Sequence, residues 1–302
     1  LPQEWQAAVA GWTKKLAGFR DEDAPSTTDL LFFFQDLVAI WPSGASDIGG
    51  LCGRMTEHMR KVAREAKSRT TWTDPDERYE QAMERFVSAS LSHKPFTNDV
   101  ARFVRTIERP GAINAIAEAL VRITAPGIPD FYQGTERARF MLVDPDNRAA
   151  VGHEQSAGIL SRFDRMSERG ATKTAMDGLL DGTAKMYVVS RALRHRAGEP
   201  DLYRTGAYAP VSATGTNREH CVAFARALGA TWSMTVVPRL TAGLGEEPDW
   251  RRTSLTLPTG APAEWREIFS DRGIRARNGK LPLTDVFGGF PVALLTYTRS
   301  GP

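Results

Sequence analysis

Residues that announce chemistry by themselves are scarce in this chain. Its 302 residues include only two cysteines, Cys52 and Cys221, which lie far apart with no CxxC spacing. That excludes a disulfide framework and a zinc site built on cysteine, and makes a reducing cytoplasmic setting the default expectation. The five histidines, His58, His93, His153, His195 and His220, show no metal-ligand spacing. His153–Glu154 opens like a zinc-protease helix but no second histidine follows. Phosphate-cradling GxxxxGK[ST], GxGxxG after a strand, HExxH and GxSxG are all missing. The most apolar run, Leu30–Trp41, is interrupted by Gln35 and Asp36 and is too short to span a bilayer. Leu1–Trp12 lacks the basic start and apolar core of a leader, and the opening leucine suggests a piece of a longer chain. A net charge of +3 is too small to imply a nucleic-acid partner.

What is present is ordinary globular material, 41% hydrophobic and 25% charged, in a chain long enough for two cores. Up to about residue 123 the apolar residues recur at helical spacing. Helices are predicted over Trp5–Phe19, Asp29–Ile40 (capped by Thr28, ended by Pro42 and Gly44) and Leu51–Arg69. Others follow from Asp74–Pro75 to Leu91, over Asn98–Glu108, and over Ala112–Ile123, the last two separated by Pro110–Gly111. The basic face of the third helix, Arg54, Arg60, Lys61, Arg64 and Lys67, reads as solvated. Two more helices are expected over Gln155–Arg169 and Thr183–Arg196. From Asp201 onward the pattern changes to short strands at Leu202–Tyr203, Cys221–Ala227, Thr231–Val237, Glu264–Phe269 and Val292–Thr298, with Gly, Pro, Asp and Asn between them. That spacing suggests a β-sandwich beginning near residue 199.

Between these halves lies TAPGIPDFYQGTERARFMLVDPDNR, residues 124–148. Ile128–Tyr132 has the composition of a short buried strand running into a polar, turn-rich loop, where binding residues are often carried. Phe131, Tyr132, Gln133, Glu136, Asp144, Asp146, Asn147 and Arg148 combine aromatic faces with planar carboxylate, amide and guanidinium groups. This is the chemistry that holds a sugar ring and its hydroxyls. A glycosidase needs two carboxylates astride the scissile bond, and Glu136 with Asp144 could form such a pair. On spacing alone, the plainer role of Asp and Asn in capping turns accounts for them better.

TAPGIPDFYQGTE followed by LVDPDNR resembles the signature of maltooligosyltrehalose synthases, members of the α-amylase superfamily. Other stretches are similar in the same order: AREAKSRTTW (63–72), Pro75 with Tyr79–Glu80, GAINAIAEALVRITAPG (111–127), LYRTGAYAPV (202–211), HCVAFAR (220–226) and FPVALL (290–295). The resemblance implies an α+β multidomain fragment. Residues 1–108 would be a helical insertion domain. Residues 109–198 would be the end of a (β/α)8 barrel, with its last strand at 128–132 and last helix at 183–196. Residues 199–302 would be a C-terminal antiparallel β-sandwich. The superfamily's catalytic carboxylates lie at the ends of earlier strands, so the fragment would carry none and be inactive alone. The implied parent reaction is a retaining intramolecular transglucosylation of maltooligosaccharide, from a reducing-end α-1,4 bond to α,α-1,1. It needs no cofactor or metal. Tyr132, Gln133, Glu136, Asp144, Asn147 and Arg148 are the implied substrate-binding residues, with Lys67 and Trp72 covering the pocket. The implied partners are the glucan and the missing N-terminal barrel portion, with no nucleic acid and no membrane.

The chain departs from the pattern at two loops. Arg137–Met141 stands where the family has an aromatic, acidic LWDLS segment, and Ala149–Gly152 where it has RPVD. A divergent transglycosylase therefore remains an alternative. So does a non-catalytic glucan-binding module using sandwich aromatics such as Tyr203, Tyr208, Trp232 or Trp250.

Overall fold

A computed structural model describes residues 1–21, 24–42 and 48–298. It resolves into two compact units, Leu1–Glu108 with Phe140–Ala150, and Arg109–Arg139 with Val151–Pro302.

The first unit is helical: α1 (Pro2–Leu16), α2 (Thr27–Ile40), α3 (Leu51–Ala66), α4 (Glu77–Ser92) and the first part of α5 (Lys94–Thr124). Aromatic side chains from four of these helices fill its centre. Trp12 lies 5.4 Å from Phe34 and 6.0 Å from Phe96, and Phe33 lies 5.4 Å from Phe86, all ring to ring and mostly edge-on. Two helix starts differ from expectation. Ser26, not Thr28, caps α2 by accepting the Asp29 amide at 3.1 Å. Asp76, not Asp74, caps α4 by accepting the Tyr79 amide at 3.0 Å. Asp74 belongs instead to a turn in which Thr71 Oγ1 accepts its amide at 2.8 Å, so the helix can begin only after that turn. Trp41 ends α2 in extended conformation, and Gly44, the other expected terminator, lies outside the described residues.

The break expected at Pro110–Gly111 is not found: α5 is one helix with Pro110 inside it. A proline there forgoes one helical hydrogen bond and costs about 3 kcal/mol. Two observations account for its tolerance. Val100 and Val104 before it, and Ile116 and Leu120 after it, are buried, and the Pro110 carbonyl accepts the Thr241 hydroxyl at 3.1 Å.

The second unit contains the rest of α5, then α6 (His153–Asp164), α7 (Glu168–Asp177), α8 (Thr183–Gly198) and α9 (Pro200–Thr205). Eight strands follow among the described residues: β1 (Ala207–Gly215), β2 (Cys221–Leu228), β3 (Thr231–Pro238), β4 (Thr253–Thr256), β5 (Glu264–Glu267), β6 (Arg272–Arg275), β7 (Lys280–Pro282) and β8 (Ala293–Thr298). A short helix, α10 (Leu283–Val286), precedes the last. The helix expected over Gln155–Arg169 is two helices, because Ser167 caps a new one by accepting the Gly170 amide. Leu202–Tyr203, expected as strand, is the middle of α9, which Pro200 opens at its first turn. The apolar pair that suggested a strand is two consecutive residues buried by tertiary packing.

All eight strands form one antiparallel order, β6-β5-β8-β3-β2-β1-β4-β7, rather than two separately paired sheets. The reason is β1, which pairs with β2 through Ala207–Val211 and with β4 through Ser212–Gly215. One strand thus carries the hydrogen bonding around the corner. Central strands are buried on both faces. In β8, Ala293 and Leu295 join a core with Trp250, Leu255 and Trp265, while Leu294 joins one with Tyr187, Val188 and Phe269. The second core contains α8 as well as the sheet, so residues on either side of 199 share one compact unit instead of dividing there.

Candidate functional site

The segment that should carry a barrel strand, Ile128–Tyr132, has no strand assignment and pairs with none of the eight strands. Ile128 is 95% exposed. A strand exists only where another backbone completes its ladder, and no described segment does so here. The segment is nevertheless fixed from behind. Arg196 of α8 donates from Nη1 to the Ile123 carbonyl and from Nη2 to the Gly127 carbonyl, both at 2.6 Å. These bonds satisfy the end of α5 and hold the first residue beyond the turn. Arg122 donates to the Asp130 carbonyl at 3.3 Å and stands 5.3 Å above the Phe131 ring.

Beyond it, Tyr132–Thr135 is a tight turn closed by the Thr135 amide on the Tyr132 carbonyl at 3.0 Å. Gly134 has φ +81°, and a Cβ there would lie 2.8 Å from Arg139 Nη1. That guanidinium donates to the Gln133 carbonyl at 2.8 Å, folding the loop back on itself. Gly182, at φ +85° before α8, gives the Ala138 backbone its seat, since any Cβ at 182 would collide with the Ala138 nitrogen. The result presents Tyr132, half exposed, and Gln133 outward, with Glu136 half-buried. Burial pushes the Lys185 ammonium down, the nearby Arg122 adds to this, and Glu118 and Glu136 oppose it.

Asp144, Asn147 and Arg148 belong to the other unit. Leu142 is inserted into the helical core, anchoring the loop. The basic face of α3, read from sequence as solvated, is engaged. Arg54 grips Asp146 through two bonds of 2.8 Å and also donates to the Phe140 carbonyl at 2.6 Å. Asp146 Oδ2 in turn accepts the Leu142 amide at 2.7 Å. Burial alone would raise the Asp146 carboxyl, but Arg54, the Leu142 amide and His58 hold it below the usual range. Lys61 donates to the Asp144 carbonyl at 2.8 Å, and Arg148 to Asp144 Oδ2 at 3.0 Å. Backbone hydrogen bonding, Lys61 and Arg148 lower the Asp144 pKa. Both carboxylates are therefore ionised and structurally committed at neutral pH. Arg148 itself stays exposed, and Asn147 is half-buried.

Lys67 closes α3 in left-handed conformation, φ 54°, with its side chain exposed. Trp72, 56% exposed, rests 4.9 Å from the Arg64 guanidinium, which is pinned by two 2.7 Å bonds to Glu80. The aromatic ring thus projects from a fixed platform. Among the described residues, no hydrogen bond or ion pair links Lys67 or Trp72 to the Asp144–Arg148 turn. The eight sugar-binding candidates therefore fall into a group of three in one unit and five in the other. Glu136 and Asp144, the possible carboxylate pair, are in different units.

The residues the sequence reading missed are the supports: Arg139, Gly182 and Arg196, with Arg54 and Lys61 named only as solvated. One signal was available, since Arg54 and Lys61 lie at i and i+7 on α3, two cations on one face to match the acidic run at 144–146. Among the described residues, no group of three or more His, Cys, Asp or Glu is arranged to hold a metal ion. Among the same residues, no helix is long and apolar enough to cross a membrane.

Comparison with known proteins gives one consistent answer. No family model matches the chain. A curated relative from Mycobacterium tuberculosis (strain CDC 1551 / Oshkosh), provisionally named maltooligosyl trehalose synthase, is 30% identical over 272 residues, 90% of this chain and 32% of its own. The solved maltooligosyltrehalose synthase of Arthrobacter ramosus superposes with a TM-score of 0.77 at 30% identity, covering 99% of this chain and 35% of that one. Another solved maltooligosyl trehalose synthase gives 0.74 at 25% identity, covering 98% and 36%. The resemblance stated from the motifs is thus present in both sequence and structure. The chain spans about a third of the length of the relatives it matches.

Proposed function

We propose that this chain is the C-terminal part of a maltooligosyltrehalose synthase, and that the whole protein converts the reducing-end α-1,4 bond of a maltooligosaccharide to an α,α-1,1 bond. The observation that carries this reading is the extent of the match: 30% identity over nine-tenths of the chain, against only a third of the relative. The motif residues also have suitable chemistry. Tyr132 offers an exposed aromatic face, Gln133 an exposed amide, and Arg148 an exposed guanidinium, the groups that bind a sugar's apolar side and its hydroxyls. Trp72 adds a second exposed ring.

In this reading the chain's contribution is binding and not bond breaking. A retaining transfer needs a nucleophile and an acid/base about 5 Å apart. The carboxylates at 144 and 146 are engaged otherwise, Asp144 by Lys61 and Arg148 and Asp146 by Arg54. The nucleophile and acid/base would come from the preceding two-thirds of the protein, whose strand ends would also complete the ladder at Ile128–Tyr132. Intramolecular transfer further demands that the released glucose be retained and reoriented while water is kept out. Tyr132, Gln133, Glu136, Asp144, Asn147 and Arg148 are the groups we assign to that retention, with Lys67 and Trp72 closing over it. The replaced segments at Arg137–Met141 and Ala149–Gly152 would then set how this protein's substrate preference differs from that of its relatives.

The test is incubation of maltopentaose with the chain alone and with the preceding portion of the protein, resolving products by anion-exchange chromatography. A non-reducing pentasaccharide formed only by the complemented sample is the expected result. Turnover by the bare chain would overturn the assignment of the catalytic carboxylates to the missing part.

A further inference from the structure

We propose that a cleft in the sheet-bearing unit, walled by Trp250 and Phe287, is a second glycosyl-binding site that takes one glucosyl ring of an α-glucan; the choice of glucan rests on the function proposed above. The cleft encloses about 270 Å³. That lies near the low end of small-ligand pockets, which run from about 300 Å³ upward, and it suits a single ring rather than an extended chain. None of residues 128–136 lines it, so it is separate from the Tyr132–Glu136 turn.

Its interior is largely apolar. The Trp250 and Phe287 rings lie 5.0 Å apart with planes at 44°, and Phe290, Pro238, Pro248 and Pro291 complete the walls. Its rim is polar: Arg109, Glu246 and Glu247 border it, and both glutamates are exposed. A pyranose ring presents apolar C–H faces within a belt of hydroxyls, so stacking on aromatics with carboxylates at the edge matches both parts. Recognition falls to that rim because Thr241, the other polar side chain at the cleft, is already bonded to the Pro110 carbonyl and to Asn114 Oδ1.

The wall is preorganised. The Trp250 carbonyl accepts the Thr253 amide at 3.0 Å, and the preceding Asp249 carbonyl accepts Asn217 Nδ2 at 2.8 Å. Asp249 Oδ atoms are taken by Arg251, so the backbone carrying the indole is held on both sides. The other sandwich aromatics considered from sequence lack such a setting. Tyr203 is buried and bonded to Ser233, and Tyr208 lies against Phe224 on β1.

Fluorescence titration of the whole chain with maltose, alongside saturation-transfer NMR, tests the proposal. Maltose should bind the unaltered chain. Trp250→Ala should weaken binding by about tenfold or more, the equivalent of one lost stacking contact. Because Trp250 is only 8% exposed and its removal could unfold the unit, Glu246→Gln with Glu247→Gln provides an independent variant. It alters only exposed side chains and should weaken binding about threefold to tenfold. Trp232→Phe, away from the cleft, should leave the affinity unchanged. Absence of maltose binding to the folded chain, or equal binding by the glutamate variant and the parent, overturns the site. The outcome is separable from the functional reading. Complemented synthase activity without binding at Trp250 removes only the second site, and binding at Trp250 without complementation removes only the synthase assignment.

Discussion

The two loops bearing the sugar-binding candidates are fixed by different physics. The Phe140–Ala150 loop of the helical unit is held by charge, with Arg54 forked onto Asp146 and Lys61 and Arg148 converging on Asp144. The Gly127–Arg139 loop of the sheet-bearing unit is held through its backbone. Arginines there donate to carbonyls at 123, 127, 130 and 133, and two left-handed glycines make room for close approach. A charge clamp tolerates changes of backbone but depends on protonation, whereas a backbone clamp is indifferent to carboxyl titration but intolerant of any added side chain. Exposed recognition groups, Tyr132 and Gln133 in one and Arg148 in the other, are the part each clamp leaves free.

The largest expected effect attacks the backbone clamp. Gly182→Ala combines a left-handed φ with a collision at Ala138 and should cost about 3 kcal/mol. Calorimetry would register this as a lower Tm for the sheet-bearing unit, and a shift below about 2 °C would show that the seat is soft.

Acid should also separate the units. Burial pushes His195 in α8 down to about 4 from 6.5. The unfolded chain therefore binds the extra proton first, and stability is lost as the pH falls from about 6.5 towards 4. Between pH 7 and 5 this amounts to roughly 2 kcal/mol. His195→Gln should flatten that slope in urea melts followed at several pH values. The charge clamp behaves differently. The Asp146 carboxyl is depressed, so its contribution is complete above the ordinary carboxylate range and is lost only as the pH falls below about 4.

Arg54→Ala breaks the charge clamp directly, leaving Asp146 with the Leu142 amide alone, and should cost about 2 kcal/mol. Amide exchange across 140–150 should accelerate while 127–139 stays protected, and Arg54→Lys, which keeps charge but not the fork, should fall between. Acceleration of both loops together would dissolve the distinction between them. The smallest effect belongs to Trp72→Ala. The ring is exposed on Arg64, so its loss should cost about 0.5 kcal/mol of stability, with any larger consequence confined to substrate affinity in the complemented enzyme.

How much of this was legible depended on the range of the interactions. The helical stripes of α1–α4 and the strand runs at 221–227, 231–237 and 292–298 follow from period and composition over a few residues, and the structure has the strands within a residue or two and the helix ends within about three. The misplaced caps at Thr28 and Asp74 are a finer failure of the same kind, because several Ser, Thr and Asp residues in a row can each cap and a local pattern does not rank them. Within the candidate site, the aromatic and amide residues could be named from the motif. The residues that hold them could not, since Arg54 and Asp146 are 92 positions apart and Arg196 and Ile123 are 73 apart.

By itself the sequence determined that α1–α4 and α8 are helical, that the last third turns to strands, and the resemblance that the comparisons reproduce. Each rests on side chains near one another in the chain. Only the tertiary structure decided that α5 passes through Pro110, that Leu202–Tyr203 is helical, and that the eight described strands join through β1 into one order. It alone also left Ile128–Tyr132 without a ladder and made the basic face of α3 a clamp. In every one of these cases the deciding partner lies far along the chain, where hydrogen bonds and buried surface outweigh local propensity.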